Sequence, residues 1–544
     1  MTPATRCVLV FKHTLLFWAL SRPALAQSAA IVPSDDAAYL DIQQLEELGV
    51  LDSIVVGQLP FSRREFARIA RVARVRVSVL PADLIDVANA VLIRLEGRFG
   101  SSDQERLFVP LDLVSSTLSY TNSVRRGLLG ELGRPTEATI DPLAERRMGE
   151  PAVRGSTVAV ELGQRFDPAP WLSFNARERF EGRSPTDVGV PATHAELLLG
   201  GVRARYRNVA LMVGREQLAW GLGRDQGLFL ASDAPALDQL SLSGDHPYRL
   251  PGLLSRLGSM QSTITFADLG TSTVRSHSKL LAYKISIAPS SSVELGGTFM
   301  NHFGGNGARA SSLENRLIDF FPFIDVFRTH NYFDSTRELD VESDKVIGID
   351  GRVRLRSLGG VIISGEWLID DFDTSRLYSL LTSYASHGLS VTFPRVALPS
   401  VALVLGAKHK GIFTSTHSEL SNGMTSRGRL LGDELGNDAK AFSAELRWTP
   451  TPSARVFIEG RRAIYSDAEY HGEYRDSLHT IYSLGKISFR GDEARLRFLA
   501  SVVLNASPRL TLMSRVGVER VSNFAASGQG ASNLMGELAV RSAY

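Results

Sequence analysis

The chain has 544 residues, of which 44% are hydrophobic and 22% are charged, and its formal net charge is +2. This length suits several soluble domains or one large barrel. A net charge so close to zero excludes a protein that binds nucleic acid or another polyanion over its whole surface. Any electrostatic preference must therefore come from local clusters of charge. After the N-terminal region, no stretch approaches the ~20 apolar residues that a transmembrane helix needs.

Residues 1–26 have the features of a secretory signal peptide. Basic residues flank a short apolar core at 14–20, and Ala24-Leu25-Ala26 matches a small-residue cleavage site. Cys7, the only cysteine, lies in this segment. We therefore expect an exported mature chain that has no disulfide, no thiolate metal site and no cysteine nucleophile.

Residues 27–105 are predicted to form a small helical segment. Apolar residues at helical spacing indicate three helices: the first ends at Gly49, the second begins at a capping box formed by Ser62 and Glu65, and the third covers 81–100. So short a helical piece would have a marginal core by itself. We expect it to pack against the larger remainder of the chain.

From residue 106 to 544 the hydrophobic period changes from helical spacing to two. Val158, Val160 and Leu162, for example, alternate with small and polar residues. Such alternation is typical of strands with one apolar and one polar face. The second part of the chain is therefore predicted to be mainly β.

The predicted turns have two lengths. Short turns that carry proline or serine occur at 166–171, 287–293, 449–453 and 505–510, and long polar stretches occur at 125–156, 303–336 and 415–441. Short turns at one end and long loops at the other are typical of bacterial outer-membrane barrels, and the last strand ends on an aromatic residue, Tyr544. We predict a large antiparallel transmembrane β-barrel of about 16–18 strands over 106–544.

Two rows of arginines are predicted to lie on single strand faces: Arg203, Arg205 and Arg207 in one strand, and Arg352, Arg354 and Arg356 in another. Guanidinium groups bind carboxylate or phosphate groups in a bidentate manner, which suits an acidic polysaccharide. The alternative is that these arginines pair with acids of the lumen, such as Glu161, Glu178 and Glu366, and hold the barrel together. Both interpretations stay open at the level of the sequence.

The glycine-rich run WGLGRDQG at 220–227 supplies two further candidate polysaccharide ligands, Trp220 and Arg224. The flat face of Trp220 suits a pyranose ring, and its alternative place is an aromatic girdle at the membrane interface. The run lacks the βαβ context of a dinucleotide-binding loop. We expect the stretch 212–260 to fold inward and help to close the lumen.

No spacing of histidines or acids suits a metal site, and no nucleophile elbow or catalytic triad is evident. We therefore predict that the protein is not an enzyme and uses neither a metal nor another cofactor.

Residues 212–242 and 251–259 resemble the signature of the capsule-assembly Wzi family. The matching residues are Gly214, Arg215, Trp220, Gly221, Gly223, Leu228, Ser232, Asp233 and Pro235, and the similarity spans about 38–375. The best-known enteric members have Ser-Asn-Asn-Ala-Arg-Pro where this chain has Ser232-Asp233-Ala234-Pro235, so their glycan preference is not carried over. The resemblance implies an outer-membrane barrel with a helical periplasmic part that acts as a lectin-like protein.

The hypothesis from the sequence is a monomeric outer-membrane protein, surrounded by outer-membrane lipid, that binds a cell-surface polysaccharide noncovalently. It would take part in the attachment or assembly of capsule or exopolysaccharide. The alternative is a porin-like channel for sugars or small solutes. The two differ in the lumen, because a channel needs an open one.

Overall fold

The computed structural model describes residues 28–544 apart from 52–53, 101–107, 131–134, 142, 144–152, 223–226, 272–273, 309–319, 321–342, 371–384, 413–419, 421, 475–480 and 490. In the described part, 18 antiparallel strands close into one barrel. Each strand pairs with the next one along the chain, and the last pairs with the first. The predicted fold class and the predicted range of strand numbers are confirmed.

The barrel strands, numbered in chain order, are β1 Phe108–Thr121, β2 Gly155–Ala169, β3 Leu172–Pro185, β4 Thr193–Tyr206, β5 Val209–Glu216, β6 Leu237–Gly244, β7 Ser259–Asp268, β8 Lys279–Ser290, β9 Val293–Phe303, β10 Ser343–Leu355, β11 Val361–Asp370, β12 Ser386–Phe393, β13 Val401–Lys410, β14 Ala439–Thr451, β15 Ala454–Tyr465, β16 Glu493–Asn505, β17 Leu510–Ser522 and β18 Ala531–Ala543. Short strand pairs outside the wall are Gln58–Leu59 with Ala219–Trp220, Arg126–Leu129 with Pro135–Ile140, Thr425–Ser426 with Arg429–Leu430, and Ala468–Tyr474 with Ile481–Phe489. Short 3₁₀ turns occur at Val77–Val79, Gly252–Leu257, Arg356–Leu358 and Phe524–Ala526.

The alternation of the strands separates an apolar outer face from a polar inner face. In β2, Val158 and Val160 are exposed on the outside, while Thr157, Ala159 and Glu161 are buried inside. Successive side chains of a strand point to opposite faces, so a strand with period two presents one face to lipid and the other to the lumen.

The connections segregate by length as predicted. Short turns such as 170–171, 291–292 and 452–453 lie at one end of the barrel, and the longer connections 122–154 and 411–438 lie at the other. We call these the short-turn end and the long-loop end.

The three predicted helices form. They are α1 Ala38–Leu48, α2 Arg63–Arg76 and α3 Ala82–Phe99. Gly49 ends α1 in the left-handed region with φ 83°, and the Ser62 hydroxyl accepts a hydrogen bond from the backbone N–H of Glu65 at 3.1 Å. No helix in the described part of the chain is both long enough and apolar enough to cross a membrane.

The helical segment docks at the short-turn end. Residues such as Leu45, Phe66 and Leu95 form its own buried core. An Nη of Arg94 in α3 donates to the carbonyl oxygen of Pro452, in the turn between β14 and β15, at 2.8 Å. We call residues 28–100 the plug.

Candidate functional site

Ion pairs join the plug to the barrel wall. Both oxygens of Asp35 accept hydrogen bonds from Arg177 of β3, at 2.8 and 2.7 Å, and one of them also accepts from Arg541 of β18 at 2.6 Å. Burial alone would raise the pKa of Asp35, but the charges of Arg177 and Arg541 outweigh it and hold the pKa well below its usual range. The plug is therefore held by buried ion pairs, in which the charge of Asp35 is compensated by arginines of the wall.

The first arginine row lies at the short-turn end. An Nη of Arg203 donates to Asp245 at 2.9 Å and to the carbonyl oxygen of Ala29 in the plug at 2.5 Å. Arg205 donates to the carbonyl oxygen of Pro170 at 2.9 Å. The prediction that Arg207 shares their strand face is wrong, because β4 ends at Tyr206 and Arg207 occupies the following turn with φ 54°.

The second row also contacts the plug. Arg354 donates to the carbonyl oxygens of Glu46 and Glu47, the second at 3.0 Å, and Arg352 forms ion pairs with Glu46 and Glu294. Arg354 therefore satisfies carbonyl groups at the C-terminal end of α1, which have no partner within the helix. Arg356 lies outside β10, in the 3₁₀ turn Arg356–Leu358, where it donates a hydrogen bond to Ser291. The prediction that Arg356 shares the strand face of Arg352 and Arg354 is therefore wrong.

Two of the acids that the sequence offered as partners for these rows, Glu161 and Glu366, have other partners. Glu161 accepts hydrogen bonds from Arg177 and Arg179, and Glu366 accepts from the backbone N–H of Leu228 at 2.8 Å. The arginine rows are instead matched by acids and carbonyl groups of the plug and of the turns, and Arg352 also pairs with Glu294 of the wall strand β9.

Trp220 lies inside the lumen, with only 1% of its surface exposed. It belongs to a buried cluster with Leu228, Leu230 and Leu431. Its place is neither the predicted aromatic girdle nor an open surface on which a sugar ring could stack. Arg224, the neighbouring candidate, is outside the described residues.

Within the predicted inward stretch 212–260, the described residues that fold inward are 217–222 and 227–236, which we call the inward segment. Residues 237–244 and 259–268 belong to the wall as β6 and β7, because their period-two pattern continues the barrel. Gly221 sits in this segment with φ 144°, and a Cβ placed there would lie 2.0 Å from a carboxylate oxygen of Glu366. The glycine of the family signature is therefore required both for its backbone conformation and for the close approach of the wall.

The inward segment meets the plug within the lumen. Gln58 pairs with Trp220 and Leu59 with Ala219 in a short antiparallel ladder, and the N–H of Gly221 donates to the carbonyl oxygen of Gly57 at 3.1 Å. Backbone from the short-turn end thus contacts backbone from the long-loop end, which closes this part of the lumen.

Above this contact, described residues of the connections 122–154 and 411–438 pack together, and the connection 411–438 also contacts the inward segment. The N–H of Thr139 donates to the carbonyl oxygen of Gly428 at 3.2 Å, and the N–H of Ala231 donates to the carbonyl oxygen of Leu431 at 2.8 Å. Leu128, Ala138, Ile140, Leu430, Leu435 and Tyr465 form a shared buried cluster. The long-loop end therefore carries an ordered platform, which we call the mouth.

Arginines from three separate segments meet at the mouth: Arg125 follows β1, Arg183 lies near the end of β3, and Arg429 lies in the connection 411–438. Burial, together with the positive charges of Arg429 and Arg183, lowers the pKa of Arg125, although Asp141 and Asp187 act in the opposite direction. The side chains of Arg125 and Arg429 are partly exposed. The side chain of Arg183 is only 7% exposed and forms an ion pair with Glu181 at 2.5 Å. Sequence reasoning missed this group because its members are isolated in sequence, and no local pattern marks them.

The described residues contain no group of three or more histidines, cysteines or acids that could hold a metal ion. Partly exposed guanidinium groups can bind carboxylate or phosphate groups without any metal.

Comparison with known proteins agrees with this architecture. The family model for the capsule assembly protein Wzi matches residues 139–534. A solved structure described as Wzi, an outer membrane protein involved in group 1 capsule assembly in Escherichia coli and a carbohydrate-binding β-barrel, matches with a TM-score of 0.65 at 14% identity, over 95% of this chain and 99% of that one. No curated protein matches the chain significantly.

Two further solved structures match at TM-scores too low to support a conclusion. Pseudomonas aeruginosa OprD has a TM-score of 0.42 at 9% identity, over 80% of this chain and 96% of that one. Pseudomonas aeruginosa OccD3 has a TM-score of 0.42 at 11% identity, over 80% and 93%. The protein is an outer-membrane β-barrel, and because the family model covers most of its length, it belongs to the capsule assembly protein Wzi family.

Proposed function

We propose that this protein binds a cell-surface polysaccharide noncovalently at the mouth, and so takes part in attaching or assembling a capsule or exopolysaccharide. The long-loop end would face the cell exterior, as in other outer-membrane barrels, and the plug would face the periplasm. In this proposal residues 1–26 are the signal peptide, 27–105 the periplasmic helical segment and 106–544 the barrel. The barrel acts as a monomer and performs no chemistry on the polymer.

The observation that carries this proposal is the contact between the plug and the inward segment. The pairing of Gln58 with Trp220 lies in the path that a solute would take through the barrel. A porin-like channel needs that path open, so the closed lumen favours a binding surface over a pore.

The ligand in this proposal is an acidic polymer, and its contacts are Arg125 and Arg429, because Arg183 is buried and already paired with Glu181. Each guanidinium group can form a bidentate pair with a uronate or another acidic substituent. A single contact of this kind is weak in water, but a polymer presents many copies of the same group to one site, which raises the overall avidity.

The six arginines singled out in the sequence have a different role in this proposal. Arg203, Arg205, Arg352 and Arg354 hold the plug and the short turns, and Arg207 and Arg356 lie in turns at the same end. Trp220 contributes to the closure of the lumen. None of these side chains lies at the mouth.

A binding titration tests the proposal. The folded barrel in detergent is titrated with the purified, acidic surface polysaccharide of its host, and the Arg125→Ala/Arg429→Ala variant is compared with Arg205→Ala/Arg207→Ala, which removes the same charge at the opposite end. We expect saturable binding that weakens strongly in the first variant and stays near wild type in the second.

Two results would contradict the proposal. Loss of binding only in the Arg205→Ala/Arg207→Ala variant would move the site to the short-turn end. A steady ion conductance of the intact protein in a planar bilayer, together with no polysaccharide binding, would favour the porin-like channel.

A further inference from the structure

The outer surface of the barrel carries basic side chains just above its apolar belt at the long-loop end. Lys440 of β14, Arg462 of β15 and Arg520 of β17 are exposed, whereas their neighbours along each strand, such as Ala441, are buried. Because side chains alternate along a strand, all three basic groups point away from the lumen. We call Lys440, Arg462 and Arg520 the basic arc.

The pairing register brings the basic arc together. Arg462 and Arg520 both lie opposite Leu496 of β16, one on each side, and Phe442 lies on the other side of Arg462. Lys440 is placed two residues from Phe442 toward the long loops. Phe442 and Leu496 are exposed apolar residues of the outer face, so the cations lie at the edge of the lipid-facing surface.

Two histidines extend this edge. His387 of β12 lies opposite His409 of β13, with ring centroids 5.0 Å apart, and His409 lies opposite Lys440. The Nδ1 atom of His409 is buried and has no hydrogen-bond partner among the described residues. The carboxylate of Asp438, which is near in the chain, already accepts a hydrogen bond from the Tyr470 hydroxyl at 2.7 Å.

On another side of the barrel, basic residues at this edge form ion pairs with acids. Arg215 of β5 forms an ion pair with Asp238 of β6 at 2.7 Å, and Lys279 of β8 forms one with Asp268 of β7 at 2.7 Å. Within the described residues, Lys440, Arg462 and Arg520 form no salt bridge and no side-chain hydrogen bond to protein. The excess positive charge at this edge is therefore local to β14–β17.

We propose that the basic arc is a docking surface for the phosphorylated headgroups of glycolipids in the outer leaflet. The arc lies at the height where the apolar belt ends, which is where the headgroups of the surrounding lipid begin. Basic side chains at such a boundary attract anionic lipid, and a phosphate group accepts several charge-assisted hydrogen bonds at once. The lipid fixes one side of the barrel, and this role is separate from polysaccharide binding at the mouth.

The experiment measures lipid binding to the whole barrel in detergent, with bisphosphorylated lipid A and its dephosphorylated form as probes. The Lys440→Gln/Arg462→Gln/Arg520→Gln variant is compared with Arg215→Gln/Lys279→Gln, which removes cations of the same edge where they are paired. We expect the phosphorylated probe to bind about fivefold more weakly for each cation removed from the arc, or roughly 100-fold in the triple variant. The control should stay within about twofold of wild type.

Equal losses in the two variants, or equal binding of the two lipid forms, would overturn the proposal. Folding is checked by the heat-dependent gel mobility of the barrel. If the triple variant does not fold, the single Lys440→Gln variant tests the proposal instead. Its binding of the phosphorylated probe should weaken about fivefold. Polysaccharide binding is measured on the same samples and should be unchanged, so failure of this proposal is distinct from failure of the proposed function.

Discussion

Arg177 of the barrel wall and Asp35 of the plug form a bidentate ion pair, with N–O distances of 2.8 and 2.7 Å. The two residues are far apart in the chain, and both side chains are at most 10% exposed. The pair joins the helical segment to β3 below the closed part of the lumen. Its partner Arg541 extends the same contact to β18.

Replacing Asp35 by Asn should loosen the plug. The change leaves Arg177 and Arg541 buried with less compensating charge, which costs about 3–5 kcal/mol for a broken buried pair. We expect faster protease cleavage within residues 28–100 and a lower thermal midpoint. The control is Asp187→Asn, because the ion pair of Asp187 with Arg154 is more than one-third exposed and should contribute about 0–1 kcal/mol. Equal effects of the two changes would contradict the assigned role of Asp35.

The plug should also loosen in acid. Burial alone would raise the pKa of Asp36, but the charge and hydrogen bonds of Arg98 outweigh it and lower the pKa from 3.8 to about 2. A lowered pKa in the folded state means that the stabilisation is fully present above the unfolded value and is lost as the pH falls through the folded one. We therefore expect stability to decline between pH 3.8 and about 2.

Pepsin digestion across that pH range measures the effect, with cleavage of the plug as the readout. The Asp36→Asn variant has no carboxylate to protonate at this position, so its cleavage rate should depend less on pH. An unchanged pH profile in the variant would assign the acid sensitivity to other carboxylates, such as Asp35.

Gly221→Ala should disrupt the closed lumen. A methyl group there would lie 2.0 Å from Glu366 and 2.6 Å from the backbone nitrogen of Gly227, and φ of 144° is unfavourable for alanine. Overpacking and an unfavourable backbone conformation each cost ~1–3 kcal/mol. We therefore expect the free energy of unfolding to fall by several kcal/mol. Gly189→Ala is the matched control, since Gly189 also has positive φ but its Cβ would meet nothing within 4 Å. Thermal unfolding and bilayer conductance are measured on both.

Arg354→Ala should destabilise the end of α1. The variant loses hydrogen bonds to the carbonyl oxygens of Glu46 and Glu47, and a cap of this kind contributes about 1–2 kcal/mol. Arg356→Ala, which changes an exposed turn two residues away, should cost less than about 0.5 kcal/mol. Polysaccharide binding should be unchanged in both variants. A strong loss of binding in Arg354→Ala, with the protein still folded, would return this arginine to the ligand site.

Much of the architecture could be predicted from local patterns. Period two and the segregated turn lengths predicted the barrel, and the caps at Gly49 and Ser62 predicted helix ends that the structure confirms. The arginine rows were predicted less well. Where a strand ends depends on its pairing with a neighbour, and Arg207 and Arg356 lie just past that point.

The sequence by itself determined which side chains face lipid and which face the lumen, because alternation is a property of each strand alone. It also determined that Arg203, Arg205, Arg352 and Arg354 would face inward. Only the tertiary structure decided which acids those arginines meet, since Asp35 and Glu46 come from the plug, and that the lumen is closed where Gln58 meets Trp220. Likewise, Arg125, Arg183 and Arg429 become one group only when the barrel closes and its loops pack. Contacts between segments distant in the chain depend on how the whole barrel closes, and no local spacing encodes them.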